Sequence, residues 1–377
     1  MPHSRPHHAA RLAVLMSGLL LGGCGSLRYY VHVAHGQASL LVHRRPIAKV
    51  VRDPATDAQL ARRLRLAAQA RQFASAALGL PDNRSYTTYV DLHRAYVAWN
   101  VFATPPYSVA PLPQCFPIAG CVAYRGYFKQ ARAQARAAAL KAQGDDVWIG
   151  PVPAYSTLGW FADPIVSSML RWDDDELAGT IFHELAHQRL YVKGDTAFNE
   201  SFASFVEQEG VREWRRARGL PPPDTRDQAM EQGFTALVLD LRGRLERLYA
   251  STHDPAVLAR GKQAQIAAFR QRYVAWRDSH WPDDHRYDGW VEAPINNAKL
   301  LPFGLYDRWT GAFAALFEQA ERQWGAFYAA VGALAGKSGA ARERGLERLA
   351  AENQAPRSPA SPPSASPAPR EQAPTGG

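Results

Sequence analysis

Cysteine is scarce in this chain of 377 residues, which has only three. Cys115 and Cys121 do not have the CxxC spacing of redox and many metal sites, and no histidine lies between them. The cysteines therefore do not predict a redox centre or a cysteine-based metal site. Their surroundings are rich in Pro and Gly, which suits a small structural loop.

Basic residues outnumber acidic ones, but they lack the arrangement that a nucleic-acid site needs. The formal net charge is +9. Arg62, Arg63 and Arg65 are typical of the distribution, because they lie in a helical stretch without interleaved aromatic residues. This pattern favours solvated helix faces, so we expect no nucleic-acid partner.

Internal repeats are absent, and the apolar run from Leu12 to Leu21 is too short to span a bilayer. It follows Arg5 and Arg11 within the first 23 residues. A basic start followed by a short apolar run is typical of an export signal.

The end of this signal resembles the bacterial lipobox, because Leu21 is followed by two glycines and Cys24. In lipoproteins, signal peptidase cuts before such a cysteine, which then carries lipid. The resemblance implies a mature protein that begins at Cys24 and is anchored by lipid in the bacterial cell envelope. Gly25 resembles outer-membrane sorting, so we expect the membrane to be a partner and the protein to face the periplasm. The alternatives are a plain secretory signal or a buried helix.

Export also bears on the other two cysteines. An exported chain folds in an oxidising compartment, where thiols close in sequence can pair. We therefore predict a disulfide between Cys115 and Cys121.

Composition divides the chain into four parts. Residues 1–23 are the lipoprotein signal, and residues 24–55 are the lipidated N-terminus and linker. Residues 56–351 form the domain that carries the function. Residues 352–377 are rich in Pro, Ser and Ala, so they cannot bury a core and we expect them to be disordered.

Helical periodicity dominates the remaining sequence, above all in its second half. Apolar residues recur at helical spacing over several stretches, and β-branched and aromatic residues over 87–103 favour short strands. The helical stretches are 56–80, 126–144, 174–192, 197–217, 226–252, 254–277, 307–335 and 339–351. The sequence therefore predicts an α+β fold that is mainly α with a small β component.

The clearest functional signal is the HExxH motif HELAH at residues 183–187. Asp173, followed three residues later by Glu176, predicts a capping box that starts a helix before the motif. Residues four apart share one helix face, so His183 and His187 can both present ring nitrogens to one Zn²⁺. Glu184 is rotated by about 100° and can reach a water on the metal without binding the metal itself.

Two glutamates downstream are candidates for the third protein ligand that a catalytic zinc usually has. Gly194 predicts the end of the HExxH helix, and Asp195 the start of an antiparallel one. Both helices can be measured from the turn between them, with a rise of about 1.5 Å per residue. Glu200 then lies slightly closer to the turn than His187 does, and Glu207 lies farther from it. Helix geometry therefore leaves Glu200 and Glu207 both open.

The HELAHQ sequence, followed by NESFASF at residues 199–205, is similar to the gluzincin aminopeptidases, in which HELAH precedes NEGFAS. The resemblance implies a zincin-like metallopeptidase core with long helices. It also implies that His183, His187 and Glu200 bind Zn²⁺ and that Glu184 is the general base. The chain lacks that family's GxMEN sequence, whose glutamate binds the free amino group of the substrate, and its spacer of twelve residues is shorter. The segment 159–210, the lipobox and the paired cysteines also look like the bacterial putative-aminopeptidase lipoproteins.

The expected reaction is hydrolysis of a peptide bond, in which Glu184 takes a proton from a zinc-activated water and passes it to the leaving amine. The oxyanion that forms needs a donor opposite the metal. We choose Tyr306, because it follows a polar turn and opens a helix, and Tyr191 and His285 are alternatives. Residues 159–164 either line the cleft or form a turn at Asp163.

The predicted function is that of a lipid-anchored envelope zinc metallopeptidase acting on peptide or protein substrates, with aminopeptidase activity as one form. One alternative is a non-catalytic envelope lipoprotein with a structural metal site. Another is a zinc amidase on peptidoglycan peptides. Glu184 favours an enzyme, because a structural site has no need of a base.

Overall fold

The computed structural model describes residues 28–116, 120–303 and 308–354. Helix accounts for 61% and strand for 9%, which confirms the predicted α+β class. The helices are α1 (28–43), α2 (Ile47–Arg52), α3 (Ala58–Ala76), α4 (Gln130–Ala142), α5 (Asp174–Arg189), α6 (Thr196–Ala217), α7 (Thr225–Ser251), α8 (Pro255–His280), α9 (Asp288–Glu292), α10 (Thr310–Gln319), α11 (Trp324–Ala335) and α12 (Gly339–Gln354). The strands are β1 (Arg45–Pro46), β2 (Thr88–Val90), β3 (Ala98–Thr104), β4 (Gln114–Phe116), β5 (Gly120–Val122), β6 (Tyr124–Tyr127), β7 (Asp146–Val152) and β8 (Ile165–Val166).

The strands form three small sheets. One has the order β1-β2-β8, with β2 antiparallel to β1 and parallel to β8. Another has the order β6-β3-β7 and is antiparallel throughout, so β6 lies at an edge. The third is the hairpin of β4 and β5, where Cys115 pairs directly with Cys121. The two cysteines form a disulfide, as predicted.

Helices α5 and α6 lie at the centre of the largest hydrophobic cluster. Two glycines allow these helices to approach closely. A Cβ atom at Gly179 on α5 would lie 3.1 Å from Glu207 Cγ on α6, and one at Gly210 on α6 would lie 2.8 Å from Phe182 on α5. Phe182 itself is fully buried. The motif helix is therefore held inside the core rather than on its surface.

A second cluster surrounds the long helices α7 and α8, and a third lies between α4 and the β6-β3-β7 sheet. The helical hairpin is joined to the sheet through Asn297, whose backbone amide donates to Asp146 Oδ2 at 2.9 Å. The Tyr249 hydroxyl donates to Asn297 Oδ1 at 2.9 Å.

Two stretches differ from the sequence-based expectation in detail. The predicted helix over 126–144 starts later, because residues 124–127 pair with β3. The predicted helix over 307–335 is two helices, α10 and α11. Between them Glu321 and Arg322 adopt left-handed φ angles of 51° and 57°, which a continuous α-helix does not contain.

The segment that precedes α3 is part of the folded core. Leu40 on α1, and Ile47 and Val50 on α2, are buried in the main cluster, although the sequence suggested a linker here. Among the described helices, none has both the length and the apolar character needed to cross a membrane. Cys24 and residues 355–377 lie outside the described residues, so the lipid anchor and the tail stay predictions.

Candidate metal centre

The helix that carries the HExxH motif starts where the sequence predicted. Asp173 is the N-cap of α5, and its side chain accepts a hydrogen bond from the backbone N–H of Glu176 at 2.8 Å. The Glu176 carboxylate in turn accepts from the backbone N–H of Asp173 at 3.2 Å. This confirms the predicted capping box, which fixes where the helix begins and so which residues face α6.

A tight turn connects α5 to α6. Gly194 has a φ angle of 80°, which favours glycine, and the Asp195 side chain caps α6 by accepting from Phe198 N–H at 3.1 Å. The Asn199 side chain closes the turn, because it donates to Val192 O and accepts from Val192 N–H, both at 2.8 Å. The turn therefore fixes the position of Asn199, and with it that of the next residue, Glu200, relative to α5.

The two helices bring three potential ligand atoms together. His183 Nε2 lies 3.1 Å from His187 Nε2. Glu200 Oε2 lies 3.4 Å from His183 Nε2 and 3.6 Å from His187 Nε2. These three residues form a group that could hold a metal ion.

The spacing of these atoms fits a tetrahedral ion. Ligands at about 2.0–2.2 Å from a tetrahedral metal lie about 3.3–3.6 Å from each other. The three observed separations fall at or near that range. The three atoms are thus spaced as three ligands of one tetrahedral ion would be.

Glu207, the other candidate ligand, contacts the second ring nitrogen of His183. Its Oε2 lies 2.9 Å from His183 Nδ1. Glu200 contacts His187 and Glu207 contacts His183, so α5 and α6 run antiparallel, as predicted. The structure therefore places Glu200 with the ligand atoms and Glu207 behind His183.

The electrostatics of the group follow from carboxylates packed against imidazoles. Burial alone would lower the pKa of His183, but its hydrogen bonds to Glu200 and Glu207 outweigh burial and raise that pKa well above its usual value. Burial would raise the pKa of Glu200, but the charges and hydrogen bonds of His187 and His183 lower it below its usual value. The Glu200 carboxyl is therefore held in its anionic form, which suits a cation ligand.

Glu184 lies beside this group without belonging to it. Burial is the main cause that raises its pKa, and the neighbouring His183 and His187 act in the opposite direction. The nearby Ser156 hydroxyl also acts to lower that pKa. A carboxyl group with a raised pKa, close to a metal position, has the chemistry of a proton carrier.

Two tyrosines lie near the His-His-Glu group. Burial and the nearby Glu200, Tyr191 and Glu184 raise the pKa of Tyr124, which lies on the edge strand β6. Tyr191 was one of the predicted alternatives, and its ring centroid lies 6.3 Å from that of His187. Tyr306, the preferred choice from the sequence, lies outside the described residues, so its role stays a prediction.

The remaining sequence candidates occupy other roles. His285 Nδ1 lies 2.8 Å from Asp288 Oδ2 in an exposed cluster at the start of α9. Asp163 is fully buried and closes a loop by accepting hydrogen bonds from Thr157 N–H and the Thr157 hydroxyl. The Asp163 side chain therefore forms the turn that the sequence offered as one interpretation, and whether the segment lines the cleft stays a prediction.

Tyr124 and Ser156 were not found by sequence reasoning. Both come from a different part of the chain than α5 and α6, and no motif surrounds them. Tyr124 lies on the edge strand β6 of the β6-β3-β7 sheet, and Ser156 lies in the loop after β7. Only the tertiary structure carries this information.

The fold and the site together define a mainly helical α+β protein with a His-His-Glu group, on two antiparallel helices, that could hold a metal ion. The model of the family described as "putative aminopeptidase" matches residues 28–346. The chain belongs to this family, whose description indicates a peptidase acting on peptide substrates. No curated protein and no solved structure matches the chain.

Proposed function

We propose that this protein is a zinc-dependent metallopeptidase. The observation that carries the proposal is the convergence of His183 Nε2, His187 Nε2 and Glu200 Oε2, at separations of 3.1–3.6 Å, beside Glu184. Two imidazoles and one carboxylate are a ligand set that zinc uses in hydrolytic enzymes, where a fourth position stays open. Family membership supports a peptidase.

In this proposal each side chain has a separate task. Bound zinc supplies Lewis-acid polarisation of the scissile carbonyl and activation of a water. Glu184 accepts the proton of the attacking water and delivers it to the leaving amine. Glu207 orients the His183 ring through Nδ1, and a tyrosine phenol donates to the developing oxyanion.

Metal content and hydrolysis, measured on the same preparations, test the proposal. We expect the wild-type protein to bind one zinc ion per chain and to cleave peptides. Glu184→Gln should keep the zinc and lose hydrolysis, whereas Glu200→Gln should lose both. Stoichiometric zinc without cleavage of any peptide would favour the non-catalytic lipoprotein. Cleavage restricted to peptidoglycan stem peptides would favour the amidase.

The absence of the GxMEN sequence leaves the chain without that family's motif for the free amino group, so the position of cleavage is tested separately. A panel of matched peptides with free and with blocked amino termini distinguishes the two forms of the reaction. An aminopeptidase releases single residues from free termini only. Cleavage of the blocked peptides would limit the function to an endopeptidase.

We propose further that Cys24 carries a lipid anchor in the envelope, on the outer membrane and facing the periplasm. The support is the Leu-Gly-Gly-Cys sequence at the end of the export signal. Expressed in a Gram-negative host, the wild-type protein should partition into detergent and co-fractionate with the outer membrane. The Cys24→Ser variant should stay uncleaved or become soluble, and equal detergent partitioning of its mature form would overturn the anchor.

A further inference from the structure

The loop of residues 156–163, called here the aromatic loop, exposes two adjacent aromatic side chains. Trp160 is 67% exposed and Phe161 is 48% exposed. Among the large hydrophobic side chains that the structure describes, no other aromatic residue is as exposed as either of them. Water-exposed aromatic pairs on a folded protein mark surfaces that bind something apolar.

The loop is closed by its own hydrogen bonds, so these side chains are held outward. The Asp163 carboxylate accepts from Thr157 N–H at 2.8 Å and from the Thr157 hydroxyl at 2.9 Å. Phe161 N–H donates to the Thr157 hydroxyl at 3.0 Å. Leu158 and Gly159 adopt left-handed φ angles of 55° and 81°, which is a strained conformation for leucine.

The loop also lies against α5, the helix that carries the motif. A Cβ atom on Gly159 would lie 3.4 Å from the side chain of Gln188. Gln188 is four residues after Glu184 and therefore lies on the same face of α5. A peptide whose scissile bond lies at Glu184 would therefore have its neighbouring residues, about 3.3 Å apart along the chain, within reach of the loop.

We propose that the aromatic loop is the wall of a specificity subsite, where Trp160 and Phe161 bind a bulky apolar side chain next to the scissile bond. The proposal rests on the proposed peptidase function and names its substrate class, peptides with leucine or phenylalanine at that position. Insertion of the loop into a membrane is the competing use. Membrane-surface elements commonly combine apolar residues with Lys or Arg, and residues 156–163 contain neither.

The test compares a Trp160→Ala/Phe161→Ala double variant of the full chain with the wild type. The substrates are blocked peptides that carry Leu, Phe, Ala or Gly on either side of the scissile bond. We expect kcat/KM for the Leu and Phe peptides to fall about 10-fold or more, with less than about 2-fold change for the Ala and Gly peptides and with zinc content unchanged. Leu239→Ala removes an exposed side chain from α7 and is the control. It should change neither kcat/KM for any of these peptides nor the zinc content.

A binding measurement separates failure of the subsite from failure of the proposed function. The same peptides are titrated by calorimetry into Glu184→Gln protein, with and without the double substitution. Unchanged selectivity in cleavage and in binding overturns the subsite and leaves the peptidase standing. If no peptide is cleaved but the Leu peptides bind with dependence on Trp160 and Phe161, the subsite stands and the peptidase fails. If no peptide is bound or cleaved, both the subsite and the peptidase fail. If the double substitution abolishes binding of the protein to lipid vesicles and leaves peptide selectivity unchanged, the loop is a membrane-binding element instead.

Discussion

Both ring nitrogens of His183 have polar contacts, whereas only one ring nitrogen of His187 does. His183 Nε2 faces the metal position, and its Nδ1 contacts Glu207 at 2.9 Å. His187 Nδ1 is buried and has no hydrogen-bond partner among the described residues. The Glu207 carboxylate therefore orients the His183 ring through Nδ1, whereas no described residue does so for the His187 ring.

Glu207→Gln should weaken zinc binding without abolishing it. Loss of the orienting carboxylate on a ligating histidine costs about 10–100-fold in metal affinity. Glu200→Gln removes a ligand and should reduce affinity much further. Competition with a zinc chelator measures both dissociation constants, and equal losses in the two variants would make Glu207 a ligand.

Burial and the charges of Glu200 and Glu184 raise the pKa of Tyr124, and we choose it as the candidate oxyanion donor among the described phenols. Tyr124→Phe should therefore lower kcat by about 10²–10³-fold, which is the effect of removing one oxyanion donor, and leave zinc content unchanged. Tyr306→Phe and Tyr191→Phe are the matched comparisons. A large loss in kcat with Tyr306→Phe alone would restore the choice made from the sequence.

At the scale of elements, the site depends on the closeness of α5 and α6. Glycine at positions 179 and 210 removes the Cβ atoms that would separate the helices. The turn at Gly194 and the cap at Asp195 fix the register, and Arg342 on α12 holds that cap by donating to Asp195 Oδ2 at 2.7 Å. The metal position is thus a product of how two helices pack.

Gly179→Ala should destabilise the protein and weaken zinc binding together. The new Cβ atom would lie 3.1 Å from Glu207 Cγ and 3.2 Å from Val211 Cγ2, and overpacking of this kind costs about 1–3 kcal/mol. Urea unfolding and a zinc titration measure the two effects.

Gly243→Ala on α7 is the matched control for that substitution. Its Cβ would meet only the flexible end of Arg247, at 3.5 Å. Replacement of glycine by alanine inside a helix then stabilises by about 0.5–1 kcal/mol. Equal stabilisation by both substitutions would show that α5 and α6 are not closely packed at Gly179.

At the scale of the whole molecule, the candidate site combines residues from separate parts of the fold. The three potential ligands lie on α5 and α6, which contribute to the main hydrophobic cluster, whereas Tyr124 lies on the edge strand of the β6-β3-β7 sheet. The site exists only when these parts have assembled. Metal binding and folding should therefore be coupled.

Zinc should raise the free energy of unfolding of the wild-type protein. A ligand that binds only the folded state, at 100 times its dissociation constant, stabilises by about 2.7 kcal/mol. Unfolding in urea with zinc, and again with chelator, measures the difference. Zinc should hardly change the free energy of unfolding of the Glu200→Gln variant. An increase equal to that of the wild type would show that zinc binds elsewhere.

The sequence by itself determined the local features of this protein. The α+β class, the capping box at Asp173, the turn at Gly194 and the disulfide depend on residues close in the chain, so pattern and spacing predict them. The HExxH spacing placed His183 and His187 on one helix face for the same reason.

Only the tertiary structure brings Glu200, and not Glu207, into the group that could hold a metal ion. Straight helices with an average rise leave both glutamates at similar distances, because a difference of a few ångström depends on the turn and on the glycine contacts. Tyr124 is positioned by the pairing of β6 with β3, which comes from a distant segment of the chain. No local pattern encodes that pairing, since it arises from packing of the whole chain.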